Sequence, residues 1–249
     1  MSFLYHTLVY NPLYNGLIYL MDVLPWADAG VAIVIFTIIV KLILFPLSKK
    51  AVTTQLKMKK VEPELNALKE KYKDDKQLHA KKTMELYKDN GINPFAGIIL
   101  ILIQLPIILA LYKVFLSGFQ SINADILYSF VKVPAAIDTM FLGLVDITGK
   151  SVVLALLAGI SSFIQVKLSI PVVPKTAARE NMSKEERFRH DLTRTMGMQM
   201  RYMLPALAFI VSWTISGAIA VYWITSNVFS IAQELVIRKS IKESEASAK

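Results

Sequence analysis

Apolar blocks of helix-spanning length alternate with densely charged blocks along this chain. The least interrupted is 30–48, GVAIVIFTIIVKLILFPLS, with one lysine, Lys41, and a closing proline, Pro46. A run of this length predicts a membrane-spanning helix. Four more spans are predicted at 94–116, 151–170, 202–216 and 217–237. The last two are short and meet at Ser216-Gly217, which implies local bilayer thinning or tilt. In the charged block 49–93, apolar or small residues recur at 51, 54, 58, 61, 65, 68 and 72, steps of three and four that mark a helical seam. A second helix from about residue 77 to 89 offers Ala80, Met84 and Tyr87 at similar spacing. Together they predict a charged helical hairpin outside the membrane, with Pro63 kinking or splitting its first helix.

The remaining segments are less regular. In 1–29, Tyr5, Tyr10, Tyr14 and Tyr19 mix with Leu and Ile, and Asn11-Pro12 interrupts the run. Tyrosines favour the membrane–water boundary, which predicts a short amphipathic helix lying on the bilayer; a membrane-embedded lead-in to the first span is the alternative. The connector 117–150 has few charges, and its Phe130, Phe141 and Leu142 predict contact with the membrane surface. The block 171–201 is basic, and the tail 238–249 is polar and expected to be disordered.

Composition narrows the class. Of 249 residues, 54% are hydrophobic and only 19% charged, with mean hydropathy +0.47, the balance of a polytopic membrane protein. The net charge of +9 does not require nucleic acid, because membrane proteins collect Lys and Arg in cytoplasmic loops. The blocks 49–93, 171–201 and 238–249 are basic, whereas 1–29 holds no Lys or Arg. Five spans therefore place the N-terminus outside and both basic blocks and the C-terminus in the cytosol. Without a basic n-region no cleaved secretory signal is expected. The absence of cysteine excludes disulfides, thiolate chemistry and Cys-ligated metals.

Lys41 lies eight residues before Lys49, about 12 Å inside the polar boundary on a helix. That depth is uncomfortable for snorkelling, so the ammonium needs water or protein around it. Other intramembrane polar groups recur at helical spacing: Thr37 with Lys41, Ser161 with Gln165, and Trp223 with Asn227, followed by Ser226, Ser230 and Gln233; Gln104 adds one more. Two readings are open. These groups either glue helices together or converge on a hydrated cavity. Lys41 weighs toward the cavity, since the nearest acid within a span, Glu234, sits at its cytosolic end.

The stretches FTIIVKLILFPLSKK, MKKVEPELNALKEKY, LYKDNGINPFAGIILILIQLPIILALYKVF, FIQVKL and AVYWITSNVFSIAQ resemble, in order, the YidC/Oxa/Albino family of membrane-protein insertases. The resemblance covers nearly the whole chain, from about residue 11 to 238. It implies an all-α polytopic protein of five transmembrane helices around a hydrophilic groove, with a cytoplasmic hairpin. It also implies a form without the large extracytoplasmic domain of Gram-negative members. Lys41 stands where the family usually has arginine, and Thr37, Gln104, Gln165 and Trp223 match other groove-side positions; Asn227 joins them from the helical spacing. Lysine keeps the charge without the bidentate fork.

The resemblance implies insertion of nascent membrane proteins into the bilayer, with no covalent chemistry and no cofactor. The expected partners are the nascent substrates, the lipid bilayer, a ribosome or targeting receptor at the cytosolic face, and the Sec translocon. The expected location is the bacterial inner membrane. A small ion- or solute-coupled transporter using Lys41 is the alternative, but the paired broken helices and inverted repeats it needs are not visible in the sequence. An intramembrane hydrolase is disfavoured, because His6, His79 and His190 lie outside the core spans.

Overall fold

The computed structural model describes residues 2–73, 75–93, 96–117, 122–169, 199 and 201–247. The polar block 171–201 lies outside these residues except for Gln199 and Arg201. The described chain is mostly helical and divides into two compact units. The first comprises 1–41 with 107–232, and the second 42–106 with 233–249. Among the described residues, Val152–Ser169 is long and apolar enough to cross a membrane alone. Ala29–Ile43 and Phe45–Lys60 pass the same test only as a pair, bent by 64° at Leu44, so the expected span 30–48 is not one straight helix: Pro46, which cannot sit mid-helix, takes the first turn of the second one.

In the first unit, α1 (Ser2–Tyr5) runs through a π-turn at His6–Tyr10 into α2 (Asn11–Val23). The widened turn meets Pro12, which has no N–H to donate and whose ring crowds the preceding turn. The interruption at Asn11-Pro12 is therefore a local widening and not a break. Tyr14, Leu17, Ile18 and Met21 of α2 are buried, a stripe at i, i+3, i+4 and i+7. Its cover includes the connector. Asn123 N–H donates to the Tyr14 hydroxyl at 2.8 Å, the Asn15 amide donates to Ile126 O at 2.9 Å, and Tyr128 N–H donates to Asn15 Oδ1 at 2.6 Å. Phe3, Leu8 and Val23 stay exposed, so only part of this segment's apolar surface is free for lipid.

Asn15 is 2% exposed, which makes these bonds costly to lose. Asn15→Leu would remove the side-chain partners of the half-buried Ile126 carbonyl and of the Tyr128 N–H, and should destabilise the protein by about 1–2 kcal/mol. Thermal unfolding in detergent tests this, and an unchanged midpoint would show that the Asn15 bonds hold nothing.

α3 (Ala29–Ile43) starts at Asp28, whose carboxylate accepts Val31 N–H at 2.9 Å and Leu142 N–H at 3.0 Å. The latter bond ties α3 to a two-stranded antiparallel ribbon, β1 (Met140–Phe141) with β2 (Val145–Asp146). Phe141, half-buried, packs on Gly30, where an added Cβ would run into its ring. The glycine leaves a slot for that ring at the start of α3. Phe130 and Leu142 are exposed.

α7 (Ala96–Ser117) carries Lys113, whose Nζ lies 5.4 Å from the Tyr5 ring centre and 5.9 Å from that of Tyr10. This cation–π contact gives two N-terminal tyrosines a specific partner. α8 (Val152–Ser169) and α9 (201–214) approach closely where Gly159 faces Phe209. α10 (Gly217–Ala246) begins where Gly217 N–H and Ala218 N–H donate to Gly149 O and Ile147 O. A Cβ on Gly217 would sit 3.0 Å from Ile147 Cα, so the α9–α10 joint needs the glycine.

The second unit holds α4 (Phe45–Lys60), α5 (Glu62–Lys71) and α6 (Lys76–Asp89). Pro46 and Pro63 each occupy a first turn, where a missing N–H does no harm. The hairpin's long helix is thus split at Val61. All seven seam positions from Ala51 to Tyr72 are buried or half-buried. On α6 the expected stripe holds only at Tyr87, which is half-buried. Ala80 and Met84 are exposed, and Leu78, His79, Thr83 and Leu86 turn inward instead, because two leucines bury more apolar area than an alanine-led face. The tail also differs from expectation, since α10 stays helical to Ala246. Ile237 is buried, and the i,i+4 pairs Arg238–Glu234 and Lys239–Glu243 support the extra turns.

Candidate functional site

The polar groups that punctuate the apolar helices of the first unit meet along α3, α8 and α10. Lys41 closes the last turn of α3, and its Nζ donates to Ser230 Oγ on α10 at 3.2 Å. The Ser230 hydroxyl donates onward to Ser226 O at 2.8 Å. One turn away, the Asn227 side-chain amide donates to Ser161 Oγ on α8 at 3.1 Å, and that hydroxyl donates to Ala158 O at 3.0 Å. Two side-chain bonds to serine hydroxyls thus join α10 to α3 and to α8.

The other predicted residues behave differently. Thr37 is buried, and its hydroxyl is satisfied on its own helix by Ile33 O at 2.7 Å. Gln165 donates to Ser169 Oγ on its own helix at 3.1 Å. Trp223 is half-buried on α10. Gln104 is half-buried and belongs to the second unit. Ser161 and Ser230 accept the two bonds between helices, so they rank with the predicted residues. Their signal was present as serines spaced four residues from Gln165 and Ser226.

An ammonium has three donors, and for Lys41 the described residues supply one neutral side-chain acceptor. Among the described residues no carboxylate forms an ion pair with it. The acid nearest in sequence on α10, Glu234, is buried and bonded by Arg238, one turn further along the same helix. The arrangement leaves a positive charge within an apolar run with donors to spare for water or an incoming acceptor.

Residues 21–245 match the family described as 60Kd inner membrane protein. The chain belongs to this family. It is 31% identical to the membrane protein insertase YidC of Fusobacterium nucleatum over 233 residues, covering 93% of this chain and 97% of that one. It is 30% identical to the YidC of Clostridium tetani, covering 86% of this chain and 84% of that one. The YidC of Pelobacter propionicus is 32% identical over 86% of this chain, which spans only 36% of that longer protein. The family of the YidC insertases is not one of catalytic enzymes, and it locates the chain in the bacterial inner membrane.

Proposed function

We propose that this insertase guides hydrophobic segments of nascent membrane proteins from the cytosol into lipid through a positively charged hydrophilic groove with Lys41 at its centre. The observation that carries the reading is the pairing of Lys41 with the neutral Ser230 hydroxyl in place of a carboxylate. Its charge stays available to acidic residues in a substrate's extracytoplasmic tail. Asn227, Ser161 and Ser230 lend polar atoms beside it, and Gln165, Trp223 and Thr37 lie on the same three helices. Water held along such a face lowers the cost of drawing a polar tail partway across the bilayer. Insertion of a short single-span substrate into liposomes holding only this protein tests the reading, and no insertion would refute it.

The proposed topology has five spans, with the N-terminus outside and the C-terminus in the cytosol. It is supported by the loop charges. A cysteine introduced at Thr148 should react with an impermeant reagent from outside, and one at Ser247 only from the cytosolic side. The opposite labelling would overturn the orientation.

The hairpin is proposed to meet the ribosome or a targeting receptor, with the Sec translocon as a further partner. Its lysine excess supports an electrostatic contact, because rRNA phosphates suit such a surface. Replacing residues 53–88 with a short Gly/Ser linker should reduce delivery of ribosome-bound substrates several-fold while leaving protein levels unchanged. Normal co-translational insertion by this variant would limit the hairpin to setting topology.

A further inference from the structure

Beneath the break at Leu44, α4 and the turn after α6 line an open cleft of 570 Å³ within the second unit. Lys49, Lys50 and Lys57 line it with the hydroxyl-bearing Thr53 and Thr54, and no described lining residue is acidic. Residues 45–60 as a whole contain five lysines and no acid, whereas α5 opens with Glu62 and Glu64. The basic character is therefore concentrated on α4. Lys57 is exposed and reaches across to the turn after α6, its Nζ donating to Asn90 O at 3.4 Å. Gly91, at φ +58°, passes close beside it, and even a Cβ built there would lie 3.6 Å from Nζ.

Three ammonium groups and two hydroxyls around one cleft suit a phosphate diester with its negative charge unshared. Two neighbouring features select the source. Leu42 and Ile43, just before Pro46 in the same unit, are 56% and 70% exposed, which gives acyl chains an apolar surface beside the basic one. No aromatic residue is among the described lining, where a nucleic-acid site would place one against a base. We propose that this cleft binds the headgroup of an anionic glycerophospholipid, with Lys49, Lys50 and Lys57 taking the phosphate and Thr53 and Thr54 its remaining oxygens. The site shares no residue with the Lys41 cluster and does not depend on the groove mechanism. It would fix the start of α4 to the cytosolic leaflet, and basic residues just inside the cytosol are well placed for that.

The test titrates the purified full chain in detergent with short-chain phosphatidylglycerol, short-chain phosphatidylcholine and inorganic phosphate, read by native mass spectrometry and by thermal shift. Phosphatidylglycerol should bind and raise the melting temperature, and the other two should bind at least tenfold more weakly. Each lysine should contribute about fivefold, so Lys49→Gln/Lys50→Gln/Lys57→Gln should weaken phosphatidylglycerol binding about a hundredfold. Lys69→Gln/Lys71→Gln, on α5 away from the cleft, should not weaken it. If the triple variant fails to fold, Thr54→Val serves in its place and should weaken binding several-fold at unchanged helical content. Equal binding of phosphatidylcholine would overturn the site. So would equal binding by the α4 variants and wild type. Equal binding of inorganic phosphate would overturn the lipid assignment.

Discussion

Lys41→Ala should slow insertion of a substrate with an acidic extracytoplasmic tail by up to about a hundredfold. A carboxylate about 6 Å from the ammonium, at an effective dielectric near 20, gains roughly 3 kcal/mol before desolvation. Converted to a rate, that is about a hundredfold, and a fully wet groove would shrink it. The effect is large because Ser230 is a neutral partner and, among the described residues, no carboxylate pairs with the ammonium. Lys41→Arg should stay active, since it keeps the charge and adds donors that can still reach Ser230. Lys41→Glu should be worst for acidic tails. Substrates with uncharged tails should be much less sensitive. Insertion rates in proteoliposomes for matched acidic-tail and neutral-tail substrates decide the matter. Equal rates for wild type and Lys41→Ala on the acidic tail would leave Lys41 a structural donor to α10.

The features that set Lys41 apart were legible because membrane chemistry makes them costly. A lysine inside an apolar run needs a partner, and serines spaced four apart on a later helix could supply one. Helix breaks were legible for a similar reason. Pro63 cannot sit mid-helix without disruption, and the split falls at Val61, with Pro63 in the first turn of α5. Gly217 marked the α9–α10 joint, although nothing in the sequence said that Ile147 would lie against it. What stayed illegible depended on which surface covers which. That Phe141 would fill the slot at Gly30 could not be read from the sequence, because the slot exists only after the ribbon folds back onto α3. Lys113 passed unremarked near the end of an apolar stretch, yet its contacts with Tyr5 and Tyr10 bridge more than 100 residues of sequence. Thr37 shares the face of Lys41 by spacing, but its hydroxyl turns back to Ile33 O, as serine and threonine often do in helices. Spacing identifies a face and leaves open whether a hydroxyl looks outward or back along its own helix.

The polar tail was expected to be disordered, and the pair that keeps it helical gives the second large effect. Glu234 has a side chain 4% exposed, and one of its oxygens accepts from Arg238 Nη2 at 2.6 Å and from Nε at 3.1 Å. A buried carboxylate bonded this way contributes little net stability while the pair is intact, because desolvation offsets the attraction. Removing only the arginine is different, since it takes two donated hydrogen bonds from a buried charge. Arg238→Ala should therefore destabilise the protein by about 3 kcal/mol and fray the last turns of α10. Arg238→Ala/Glu234→Gln should recover most of that loss, because a neutral amide is far cheaper to bury than a carboxylate that has lost its arginine. The comparison is made by thermal unfolding in detergent, with proteolysis after residue 238 as a local readout of fraying. If the single and double variants unfold alike, the loss comes from arginine packing along α10, and the ion pair is not what holds the tail.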